Sequence, residues 1–167
     1  MKRLLFIVSF GFYQCSFLLT AVEKISSFKH SVHTEKKPWT DKDFLNDPKD
    51  FQCAIVADRT GGPRQGVFPK AVDKLNELRP EFVITVGDLI QGGAGNRNVE
   101  KLKGQWQEFN SFIKGFDMPF FYLPGNHDLG NEVADQIWDE MFGVRYYSFL
   151  YEDCLLYTSP SPRDLLG

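Results

Sequence analysis

At 167 residues, 43% hydrophobic and 25% charged, the chain has the balance of a globular protein with room for one domain and a sizeable core. A formal net charge of -3 speaks against a dedicated nucleic-acid binder, and no nucleic-acid-binding surface is evident. Three cysteines, Cys15, Cys53 and Cys154, form no disulfide framework.

Lys2 and Arg3 precede an apolar stretch over residues 4–21, which Glu23 and Lys24 end. This is the pattern of a secretory signal peptide occupying residues 1–21, with Leu19-Thr20-Ala21 as an imperfect cleavage site. It implies a secreted or periplasmic destination. The alternative is an uncleaved anchor, since about 18 residues lie near the lower limit for spanning a bilayer. Membrane association follows only if the segment stays in place. Residues 22–50 are polar and without period, and read as a flexible lead-in. His30 and His33 there belong to a solvated linker, because no third ligand type clusters with them. Trp39 and Phe44 are candidates to pack on the domain edge.

Three apolar runs follow: residues 51–57 (FQCAIVA), 82–86 (FVITV) and 119–123 (PFFYL). Continuous runs of this length suit strands buried on both faces. Helical patterns separate them. Residues 67–78 place Val67, Ala71, Leu75 and Leu78 on one side, with Pro69 tolerable in the first turn and Pro80 as a stop. Residues 99–116 align Val99, Leu102, Trp106, Phe109, Ile113 and Phe116. Residues 131–142 hold Val133, Ile137, Trp138 and Met141. The order reads as a mostly parallel α/β sheet with covering helices. Residues 146–151 (YYSFLY) add a further strand, and residues 92–98 (GGAGNRN) read as a flexible loop.

Each apolar run leads into polar residues: Asp58, then Gly87-Asp88, then Gly125-Asn126-His127-Asp128. In an open α/β sheet, ligands bind beyond the carboxyl ends of the strands, so these residues are expected to converge on one rim. Hard oxygen donors on a rigid platform suit divalent cations. The Asn126 carbonyl is a candidate ligand. His127 is a candidate general acid, since imidazoles titrate near neutral pH. Asp128 is placed to orient His127 by a hydrogen bond. Taken singly, each could be an ordinary turn or cap residue; it is the repetition at three successive strand ends that points to a site.

These residues resemble the motifs of the calcineurin-like metallophosphoesterase family, in the family's order and over roughly residues 51–151. The resemblance implies an α/β fold, the N-terminal half of a β-sandwich flanked by helices. It implies a metal-dependent hydrolase cleaving phosphomonoesters or phosphodiesters of a phosphorylated small molecule or ester. It further implies two divalent metal ions, with manganese, iron and zinc all compatible. Asp58 then stands as a ligand of the first metal, Asp88 as the bridging carboxylate and Asn126 as a ligand of the second. His127 stands as proton donor to the leaving alkoxide, helped by Asp128. The run Asp58-Arg59-Thr60-Gly61-Gly62 departs from the family pattern, because Thr60 occupies the usual histidine position and is a weak ligand. Arg59 reads equally as a phosphate clamp for substrate binding or as a structural ion pair. Gln91 stands where many members carry an acid. Thr60 also supports an alternative, a non-catalytic member of the same fold that binds phosphate or a partner. A nucleotide-binding phosphate loop at residues 58–62 ranks last, for want of spaced glycines and a lysine.

The only histidines are His30, His33 and His127, so the family's later histidine ligands are absent. Residues 154–164 (CLLYTSPSPRD) resemble a translated sequencing-library adapter, which marks residues 154–167 as an artefactual tail. The expectation is a phosphoesterase domain over residues 51–153 that is an N-terminal fragment, inactive by itself, of an active parent.

Overall fold

A computed structural model describes residues 28–44 and 50–158. The segment read as a signal peptide and residues 159–167 lie outside the described residues. Two three-stranded sheets carry the fold. The first is parallel, in the order β2 (Cys53–Val56), β3 (Phe82–Thr85), β4 (Phe120–Phe121). The second is antiparallel, in the order β1 (Lys29–His30), β5 (Ser148–Tyr151), β6 (Cys154–Tyr157). Helices α1 (Val67–Leu78), α2 (Val99–Ile113) and α3 (Glu132–Phe142) complete the set.

Two cores follow from the alternation of side chains along β3. Phe82 and Ile84 join Phe121, Phe149, Tyr151, Tyr147 and Val32 in a cluster containing residues of both sheets. Phe121 and Phe149 stack there with ring centroids 4.4 Å apart and 12° between planes. Val83, on the opposite face, joins Leu102, Trp106, Phe109 and Ile113 of α2 and Ala134, Ile137 and Trp138 of α3. All four residues of β3 are buried, as a central strand covered on both faces requires. Cutting one of the fully buried aromatics to alanine costs about 3–5 kcal/mol.

The helix ends have local causes. The Asn98 side chain caps α2 by accepting from the Lys101 N–H at 2.8 Å. Asn131 caps α3 from the N–H groups of Val133 and Ala134. Helix α1 lacks a side-chain cap and starts instead from Gly66 in the left-handed region, and ends on Arg79, also left-handed, ahead of Pro80.

The structure departs from the sequence expectations in four places. β2 is an edge strand and not buried on both faces: Ile55 is 67% exposed, since nothing among the described residues covers it on the inter-sheet side. The buried stripe of α1 is shifted, with Val72 buried and Phe68 and Leu75 packed on the core, while Leu78 is 73% exposed. Phe68 decides that phase by packing on Phe109 and Phe112 of α2. The lead-in is partly built into the fold: β1 pairs with β5, Val32 is buried, and the Tyr122 N–H donates to the Pro38 carbonyl at 2.7 Å. Trp39 and Phe44 pack against the inter-sheet core, as expected of a domain edge, and His30 lies against Trp39. Finally, residues 154–157 pair with β5 through a tight turn at Glu152, although Leu155 and Tyr157 point outward and are exposed.

Candidate active site

The loops after β2, β3 and β4 are stitched to one another at the carboxyl ends of the parallel strands. The Asp58 N–H donates to the Gly87 carbonyl and the Thr60 N–H to the Asp88 carbonyl, each at 3.2 Å. Asp88 Oδ1 in turn accepts the His127 N–H at 2.9 Å. The rim expected from sequence thus forms, with Asp88 at its centre. Asn126 lies on the same β4 loop, exposed, next to His127.

Two glycines let the β3 and β4 loops meet. A Cβ on Gly87 would lie 2.3 Å from the Gly125 nitrogen, and one on Gly125 would lie 2.2 Å from Asp88 Oδ1. Asp58 and Asp88 themselves occupy the left-handed region, with φ of 50° and 57°. That conformation costs a non-glycine residue roughly 1–2 kcal/mol. It persists where the surroundings over-determine it, which is common at functional sites.

Asp128 does not hydrogen-bond the His127 side chain, contrary to the expectation that it orients the ring. Its fully buried carboxylate accepts from the N–H groups of Leu89 at 2.9 Å, Ile90 at 3.1 Å and Gly125 at 2.8 Å. Burial pushes this carboxyl up to about 6, against the pull of the three N–H donors, and the neighbouring Asp88 charge adds to the rise. Asp128 therefore staples the β3 loop to the β4 loop. The Gln91 carbonyl orients His127, 2.9 Å from Nδ1. A carbonyl only accepts, so Nδ1 carries a proton and Nε2 is the ring atom left for chemistry. The side-chain identity at position 91 is immaterial to this contact.

The Arg59 side chain is largely buried and bonded at both terminal nitrogens. Nη1 donates to the Leu89 carbonyl at 3.1 Å, and Nη2 pairs with Glu108 of α2 at 2.7 Å. The guanidinium also lies over the rings of Phe109 and Phe112. Of its two sequence readings, the ion pair is the one seen here, with Glu108 as partner.

Two residues escaped the sequence reading. Asn131, besides capping α3, donates from Nδ2 to the carbonyls of Gly93 and Asn96. With Gly93 N–H bonded to the His127 carbonyl and Gly92 N–H to the Gln105 side chain, it pins the loop at 92–98 that glycine content marks as flexible. The Gln91 backbone carbonyl is the other, and a backbone contact leaves no residue-type signal.

A family profile described as calcineurin-like phosphoesterase matches residues 32–163. The chain belongs to this family. Serine/threonine-protein phosphatase CPPED1 of Rattus norvegicus is 33% identical over 85 residues, covering 48% of this chain and 26% of that protein. No solved structure matches.

Calcineurin-like phosphoesterases generally use divalent metals, and the rim fits such ions in kind. Asp58, Asp88 and Asn126 offer hard oxygen donors. The Thr60 hydroxyl, on the loop bonded to Asp88, is buried without a hydrogen-bond partner among the described residues. Buried hydroxyls are rarely left so unless something else engages them. In number the set is short, because no group of three His, Cys, Asp or Glu side chains able to hold a metal ion occurs among the described residues.

Proposed function

We propose that this chain carries the strand-end half of a two-metal site for phosphoester hydrolysis, with Asp58, Asp88 and Asn126 as its ligands. The observation that carries this reading is the mutual stitching of three strand-end loops around Asp88, with two candidate ligands on strained backbone. A pair of divalent cations supplies charge stabilisation at the phosphoryl oxygens and acidifies the attacking water. The chain's own part is to hold and protonate. Asp88 reaches across from β3 and is fixed by the His127 N–H. His127 keeps its Nδ1 proton on the Gln91 carbonyl, so as imidazolium it delivers the Nε2 proton to the leaving alkoxide and relaxes to a tautomer already held in place. Asp128 keeps the His127 loop seated on the Asp88 loop. The description of the rat relative as a protein phosphatase favours a phosphomonoester over a phosphodiester. The N-terminal pattern supports work outside the cytoplasm.

The leaving group tests the assignment. In a protein carrying the complete domain, His127→Ala should slow manganese-dependent hydrolysis of an alkyl phosphate by about 100-fold. It should slow p-nitrophenyl phosphate, whose leaving group needs no proton, far less. Equal losses on both substrates would refute the proton-donor role.

A second reading has its own observation. The threonine at position 60, where a histidine ligand is expected, favours a non-catalytic phosphate- or partner-binding member of the fold. Tight phosphate binding with no turnover of either ester would select it.

A further inference from the structure

Three consecutive residues clasp three consecutive carbonyls. Asp58 and Thr60 reach the carbonyls of Gly87 and Asp88 through backbone N–H groups, and between them Arg59 reaches the Leu89 carbonyl through its guanidinium. The other arm of the same guanidinium pairs with Glu108 on α2, and its plane covers Phe109 and Phe112, with its centre 5.7 and 5.2 Å from the ring centroids. Only 14% of the Arg59 side chain is exposed.

We propose that Arg59 is a positioning residue, locking the Asp58 and Asp88 loops together against α2, and not a phosphate-binding residue. This rests on the metallophosphoesterase reading above. Swinging the guanidinium outward to a phosphate would break its bonds to Leu89 and Glu108 and withdraw it from two aromatic rings. Leaving it in place holds both ends of the clasp, where Asp58 and Asp88 keep left-handed backbone that the surroundings must enforce. The planar fork matters, because a lysine offers one ammonium where a carbonyl, a carboxylate and two rings are met at once.

The test uses the full chain, with manganese and inorganic phosphate as probes in titration calorimetry and a thermal melt alongside. Arg59→Met should weaken manganese binding at least tenfold, and Arg59→Lys should restore only part of it. Phosphate affinity at saturating manganese should stay within about twofold of the unaltered protein. Lost phosphate binding at unchanged manganese affinity would overturn the proposal in favour of a clamp. So would unchanged affinities for both probes. If Arg59→Met fails to melt cooperatively, Glu108→Ala decides, since it removes one anchor at the surface; manganese affinity should fall about threefold, and no change overturns the proposal. An unaltered protein that takes up no manganese sinks the function reading itself, and this inference with it.

Discussion

The glycines of the two halves of the site answer to different constraints. In the loop after β2, added Cβ atoms on Gly61, Gly62 or Gly66 would meet nothing within 4 Å, and only their positive φ explains them. In the loops after β3 and β4, Cβ atoms on Gly87, Gly92, Gly125 or Gly130 would lie 1.9 to 2.3 Å from the nearest heavy atom, while Gly93 and Gly95 are uncrowded. One half is a preassembled block in which backbone touches backbone. The other is an open loop held to that block by the clasp at residues 58–60. Where two loops approach backbone to backbone, the fold gives up side-chain volume to allow it; where a loop faces solvent, conformation alone suffices.

Substitutions should break this contrast in order. Gly125→Ala should be the most damaging, because the methyl group collides with Asp88 and its loop. A loss of about 3 kcal/mol or more is expected from such overpacking against backbone, read by chemical denaturation. Asp128→Ala should follow closely, since it strands three N–H groups. With about 1–3 kcal/mol for each unsatisfied buried donor, a loss near 3 kcal/mol is expected, and Asp128→Asn should recover much of it by keeping Oδ1 for Leu89 and Ile90. Gly61→Ala should be the mildest, at about 1–2 kcal/mol from left-handed strain alone. Equal effects for Gly61→Ala and Gly125→Ala would erase the distinction between the halves.

Much of this was legible beforehand, and the exceptions share a cause. The strands at β3 and β4 and all three helices announce themselves through apolar runs and spacing, and the carboxylates at strand ends through position. The buried stripe of α1 is shifted because two apolar stripes compete on that helix and packing on α2 selects Phe68 and Val72. The pairing of β1 leaves no period in two residues, and depends on β5 far along the chain. Asp128 sits beside His127 in sequence yet serves N–H groups 38 and 39 residues away. Local patterns reveal elements; partners across the chain decide what each polar side chain does.

The most direct test is a manganese titration of the unaltered protein against Asp88→Asn. The amide keeps Oδ1 to accept the His127 N–H, so the loops should stay stitched and the melting temperature should barely move. Manganese uptake should fall by at least a hundredfold. Undiminished uptake in Asp88→Asn would contradict the assignment of this rim as the metal site.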